Sequence, residues 1–127
     1  MKPRKPYRVL VVDDESEVTD LLASELEKRG YSVARAYDGV TGLALAKVTA
    51  PDVVLLNYLM PRMDGFQVLA ELKSAPGAPA LIKVIMMSSF GERSEFAAQA
   101  AALGAFGSLA RPHRMSQMFE LVETALA

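Results

Sequence analysis

The chain has 127 residues, of which 51% are apolar, a formal net charge of −1 and no cysteine. That length suits one domain around one core, and the apolar content is too high for a disordered chain. Near-neutral charge leaves no electrostatic case for nucleic-acid or membrane-surface binding, the absence of cysteine excludes disulfides and thiolate metal sites, and no apolar run approaches the about 18 residues of a membrane helix.

Strands and helices alternate along the chain. Lys2, Arg4, Lys5 and Arg8 form a small basic cluster without the apolar stretch of a signal peptide. The cluster reads as a solvated tail rather than a nucleic-acid arm. Arg8–Val12 is a continuous apolar, β-branched run, as expected of a strand covered on both faces, and Asp13 and Asp14 stand at its end. Ser16–Arg29 carries Val18, Leu21, Leu22 and Leu26 at helical spacing, and Gly30 stops it. Tyr31–Ala36 is a second strand, and Asp38-Gly39 a turn. Val40, Leu43, Leu45 and Val48 mark a second helix that Pro51 ends. Val53–Leu56 is an apolar third strand running into Asn57. Phe66–Lys73 is a third helix, and Ser74–Pro79 a loop rich in Pro and Gly.

Leu81–Met87 predicts a fourth strand, Glu95–Leu103 an alanine-rich fourth helix terminated by Gly104, and Phe106–Leu109 a short fifth strand. Arg111-Pro112 breaks the chain before Met115–Leu126, where Met115, Met118, Phe119 and Val122 make a helical stripe. Five βα units of this size imply a parallel sheet with helices on both faces. Ligand sites in such folds form at the carboxyl ends of the strands, near the switch in strand order. The polar candidates obey that rule: Asp13 and Asp14 end strand one, Asn57 strand three, Ser88 and Ser89 strand four, and Arg111 follows strand five. There is no internal repeat.

Four segments carry a family resemblance over nearly the whole chain. Val11-Val12-Asp13-Asp14-Glu15 resembles the acidic pair of bacterial two-component response-regulator receiver domains. Leu55-Leu56-Asn57 followed by Met60-Pro61-Arg62-Met63-Asp64-Gly65 resembles their phosphorylation-site loop. Val84–Ser89 resembles the strand ending in the signalling Ser or Thr, which puts that role on Ser88. Gly104-Ala105 followed by Arg111-Pro112 resembles the segment with an invariant Lys-Pro. Each motif alone is weak, but in this order and spacing they are specific together. The resemblance implies a flavodoxin-like, doubly wound α/β fold in three layers (αβα), with residues 1–7 as a tail and 8–127 as the receiver-like domain. It implies a cytoplasmic signalling protein of a phosphorelay. Its partner would be a histidine kinase or a chemotaxis or relay component, met through the face of the fourth helix, fifth strand and fifth helix.

Three positions depart from the family pattern. Asn57 stands where an aspartate accepts the phosphoryl group, Arg111 where the lysine is expected, and Ser108 where an aromatic residue changes rotamer on activation. An amide oxygen is neutral and poorly nucleophilic, so no stable acyl phosphate forms at Asn57. In an intact receiver three carboxylates hold Mg²⁺, while the lysine and Ser/Thr steady the phosphoryl oxygens. With one carboxylate gone, a charge about 4 Å from the metal is lost, which weakens binding by about 1–4 kcal/mol per unit metal charge. The resemblance leaves Asp14, Asp13 through water and the Leu59 carbonyl as a weakened Mg²⁺ site. A bidentate contact of Arg111 to Asp13 or Asp14, standing in for the metal, is a second expectation.

The leading expectation is therefore a non-enzymatic, pseudo-receiver adaptor. Against it stands an ordinary Mg²⁺-dependent, phospho-accepting receiver whose acceptor aspartate was replaced artificially by Asn57. Arg111 and Ser108 argue against that reading, because one engineered change would leave a lysine and an aromatic residue in place. A flavodoxin-like cofactor binder fits the fold class, but no phosphate loop follows strand one, and Asp-Asp-Glu there would repel a phosphate. Plainer roles stand beside the functional ones. Asp13-Asp14 can serve as a helix-start feature, Ser88 as a backbone cap, His113 as a surface residue, and Met86, Met87, Met115 and Met118 as core. Phe90, Phe96 and Phe106 flank the fourth helix, and two or more of them exposed would mark a partner surface.

Overall fold

The computed structural model describes residues 6–89 and 94–127. Lys2, Arg4 and Lys5 of the basic cluster, and Phe90, lie outside them. The elements run β1 (Arg8–Val12), α1 (Ser16–Lys28), β2 (Ser32–Ala36), α2 (Gly39–Thr49), β3 (Val53–Asn57), α3 (Gly65–Ser74), a 3₁₀ turn (Ala78–Leu81), β4 (Lys83–Ser88), α4 (Ser94–Ala102), β5 (Gly107–Ala110) and α5 (Met115–Leu126). The strands form one parallel sheet in the order β2-β1-β3-β4-β5. The chain moves outward from β1 to β2, then returns past β1 to β3. That reversal sends the crossover helices to opposite faces.

Side-chain alternation along the strands divides the core. Val9, Val11, Val53, Leu55, Ile85, Met87 and Leu109 pack with Leu22 and Leu26 of α1 and Met118, Phe119 and Val122 of α5. Leu10, Val12, Val54, Leu56, Val84 and Met86 face the other way, onto α2, α3 and α4. The central strands are apolar between their end residues because both of their faces are covered. Each fully buried aliphatic side chain of this kind contributes about 1.5–3 kcal/mol.

Two local expectations are corrected. Leu81 is not in a strand: it closes the 3₁₀ turn and is 78% exposed. Pro79 lies in the first turn of that segment, whose bonds run from Ala80 N–H to the Gly77 carbonyl and from Ile82 N–H to the Pro79 carbonyl, so the apolar run enters the sheet only at Lys83. Arg8 does not belong to a solvated tail. Its backbone N–H donates to Asp52 Oδ2 at 2.8 Å and its guanidinium to the Ala50 carbonyl at 3.1 Å, which ties β1 to the α2–β3 connection.

Met86, Met87 and Met118 are fully buried, and Met115 packs half-buried against the α1–α5 side. Phe96 is buried while Phe106 is 37% exposed, so these two do not make an exposed aromatic pair.

Candidate functional site

Strand register brings the candidates together. Val12 pairs with Leu56, so Asp13 and Asn57 emerge side by side at the carboxyl edge. Asn57 pairs with Met87, and Ser88 with Ala110, which sets Ser88 and Arg111 next along that edge. Asp13, Asn57 and Ser88 are all buried. A cleft of about 300 Å³ opens over them, lined by Asp14, Glu15, Asn57, Leu59, Ser88, Ser89 and Arg111.

Asp13 is wholly inaccessible, and both of its carboxylate oxygens are engaged. Oδ1 accepts the Glu15 backbone N–H at 3.0 Å, and Oδ2 pairs with the Arg111 guanidinium. The first bond is the plainer, turn-forming role; the second spans the sheet from β5 to β1. The Asp13 main chain is fixed as well. Its N–H donates to the Ala36 carbonyl at 3.1 Å, and the buried Thr19 hydroxyl donates to its carbonyl at 2.8 Å.

Arg111 is held at its root and along its length. Its backbone N–H donates to the Ser88 carbonyl at 3.0 Å. Its guanidinium lies 3.8 Å from Met87 Sδ, and its other terminal nitrogen is 3.7 Å from Glu15 Oε1. Only 18% of the side chain is exposed. The Arg111–Pro112 peptide is cis, with Pro112 on the surface. His113 is half-buried, with Nδ1 3.2 Å from the Arg114 carbonyl.

Asn57 turns its amide onto its own loop: Nδ2 donates to the Leu59 carbonyl at 2.9 Å. The loop then closes onto α3. Asp64 and Gln67 bond reciprocally, Gln67 N–H to Asp64 Oδ1 at 2.9 Å and Asp64 N–H to Gln67 Oε1 at 2.8 Å, a capping box. Gly65 is required by close approach. A methyl group there would fall on the Asn57 carbonyl oxygen and come within 2.8 Å of Met86 Cε.

The donor set arranged this way does not fit a resident Mg²⁺. Of the ligands expected from the sequence, Asp13 is committed to Arg111 and the Leu59 carbonyl accepts an amide proton. The first puts a positive charge, and the second a neutral N–H donor, against atoms that a divalent cation would need. Asp14 remains, exposed at the rim. Among the described residues, no cluster of three or more His, Asp or Glu could hold a metal ion.

Sequence reasoning missed three participants. Glu15 was legible only as part of the Asp-Asp-Glu string, yet it faces the guanidinium. Thr19 gave no signal at all. Tyr58, directly after Asn57, packs with Phe66 and Phe96 at ring-centroid distances of 4.6 and 5.4 Å, and those two rings stack at 5.1 Å. Ser108 is half-buried on β5, opposite Met86.

Comparison with known proteins identifies the fold and the family. The sequence matches the response regulator receiver domain family over residues 9–123. It is 34% identical over 119 residues to the DNA-binding dual master transcriptional regulator RpaA of Synechocystis, covering 94% of this chain and 48% of that protein. It is 32% identical over 123 residues to the transcriptional regulatory protein PdtaR of Mycobacterium tuberculosis, covering 96% and 58%. The chain thus spans about half the length of these curated relatives. Among solved structures, a chemotaxis response regulator of Vibrio cholerae, CheY4, superposes with a TM-score of 0.86 at 26% identity, covering 95% of this chain and 99% of that one. A response regulator of Chloroflexus aurantiacus superposes at 0.88 and 26%, covering 96% and 98%. The described helices include none long and apolar enough to cross a membrane. On fold, strand-end chemistry and sequence match together, the chain belongs to the receiver domain family of two-component response regulators.

Proposed function

We propose that this receiver domain is a non-enzymatic signalling adaptor: it takes no phosphoryl group at Asn57 and works by protein–protein contact. The observation that carries the reading is Asn57 itself, at the end of β3, with its amide nitrogen bonded to the Leu59 carbonyl. That side chain offers no carboxylate for acyl phosphate chemistry. The pairing of Arg111 with Asp13 supports the same reading over an artificially altered, ordinary receiver, because it is a second change built into the same pocket.

The face proposed for output is that of α4, β5 and α5. Its β5 strand is Gly-Ser-Leu-Ala, and Ser108 has no ring to swing, so phosphorylation-driven aromatic switching has no moving part there. The partner class implied by the family is a histidine kinase, a chemotaxis or relay component, or an effector region, in the cytoplasm. Two relatives are transcriptional regulators by name, but a net charge of −1 gives this chain no electrostatic basis for contacting DNA.

Intact-mass spectrometry after incubation with acetyl phosphate and Mg²⁺ tests the reading. The expected result is no phosphoryl gain on the unaltered chain. Stable incorporation mapped to the pocket of the unaltered chain refutes it.

A further inference from the structure

The cation of this pocket is, we infer, part of the chain: the Arg111 guanidinium occupies the place on Asp13 that a hydrated divalent metal would take through its bound water. The inference rests on the reading of the pocket as one that has lost its acceptor, and it adds a second, independent cause for the loss of metal.

Asp13 is fully buried, and a buried carboxylate is tolerated only when paired and hydrogen-bonded. The Glu15 N–H satisfies one oxygen; Arg111 supplies the charge for the other. Arginine stays protonated at every relevant pH, so this charge is permanent. The side chain is also preplaced, by the Ser88 carbonyl at its backbone and by Met87 and Glu15 along its guanidinium. The exclusion is electrostatic rather than steric, since a cleft of about 300 Å³ has room for a hydrated ion at about 30 Å³ per water. An incoming metal must therefore part Asp13 from Arg111 and sit against an undisplaced positive charge. Restoring a carboxylate at position 57 leaves that obstacle standing.

The test is an MgCl₂ titration at constant ionic strength, followed by ¹⁵N and side-chain ¹³C NMR. It compares the unaltered chain, Asn57→Asp, and Asn57→Asp/Arg111→Gln, each shown to be folded by thermal melting without metal. The double variant is expected to saturate at an Mg²⁺ concentration at least about tenfold below that needed by Asn57→Asp alone. The Asp13 carboxyl signal should move only when Arg111 is gone. Equal affinities within about twofold, or saturable movement of the Asp13 carboxyl in the unaltered chain, overturn the inference. Should the glutamine variant fail to fold, Arg111→Met, which also removes the charge while keeping an unbranched side chain, is read the same way. The readout is metal occupancy, so a failure of the adaptor reading, seen as phosphoryl incorporation by mass, is separately visible.

Discussion

Replacing Arg111 by alanine should destabilise the domain through Asp13, not through Arg111's own contacts. The carboxylate has no solvent exposure and its partner only 18%, so truncation strands a buried charge. Two unit charges near contact, at an effective dielectric of about 20, attract by about 4 kcal/mol. Breaking a buried pair from one side costs about 3–5 kcal/mol. With a urea slope of about 1.5–2 kcal/mol/M, the unfolding midpoint of Arg111→Ala should fall by about 2 M. Removing both charges, as in Asp13→Asn/Arg111→Met, should cost markedly less than Arg111→Ala alone, because no unpaired ion remains and the Glu15 N–H keeps an acceptor. Urea titrations followed by circular dichroism at pH 7, without divalent metal, supply all three values. A loss below about 1 kcal/mol for Arg111→Ala would refute the reasoning, since Asp13 would then have found water or another donor and the guanidinium would not be its necessary partner.

Three further changes probe the scaffold around the site. Ala50 caps α2 in the left-handed region at φ 44°, so Ala50→Gly should raise stability by about 0.5–1 kcal/mol in the same urea assay. Gly65→Ala should cost about 1–3 kcal/mol and shift the Asn57 amide resonance, because the added methyl meets the Asn57 carbonyl and Met86. The Thr41 backbone N–H, 2.7 Å from Asp38 Oδ1, holds the Asp38 carboxyl below its ordinary value of 3.8. Because the folded-state value is the lower one, the stabilisation is complete above the ordinary value and is lost as pH falls through the lowered one. Asp38→Ala should therefore cost about 0.5–2 kcal/mol at pH 7, with the difference from the unaltered chain narrowing in urea titrations as pH falls through the lowered value.

The layout of the pocket was legible because a parallel sheet converts sequence position into spatial position. Asp13, Asn57, Ser88 and Arg111 each follow an apolar strand, and the pairing of Val12 with Leu56 and of Ser88 with Ala110 makes them neighbours. What the sequence could not decide was which acid Arg111 would meet. Asp13 and Asp14 are adjacent, so they point to opposite sides of the chain, and only the one aimed inward can be buried with a partner. Thr19 and Tyr58 were illegible for a different reason. Their roles depend on side chains reaching across elements, to the Asp13 carbonyl and to Phe96, and no local period encodes that. Leu81 misled because apolarity alone does not distinguish a strand from an exposed 3₁₀ turn next to proline.

The position of Ser108 gives the pocket's contact with its surroundings a different shape from the one the family pattern implies. Gly107 and Leu109 face α5: a Cβ on Gly107 would meet Leu121 at 3.2 Å, and Leu109 packs in the α1–α5 core. Ser108, between them, is turned toward the α4 side, where a hydroxymethyl group cannot fill the volume of a ring. The rings on the α4 side come from other elements. Phe96 comes down from α4 and is 7% exposed; it stacks on Phe66 of α3 and meets Tyr58 edge-on at 5.4 Å. Tyr58 is bonded covalently to Asn57, and its N–H donates to the Met87 carbonyl at 2.9 Å. Ring contacts of this kind add about 0.5–1.5 kcal/mol each beyond burial, enough to tie α4 to the loop that follows Asn57. The packing from pocket to α4 therefore has a route through the loop after β3, beside the direct contact of α4 with β5. The Arg111–Asp13 pair on one side of Asn57 and the Tyr58–Phe66–Phe96 cluster on the other thus hold the end of β3 between them.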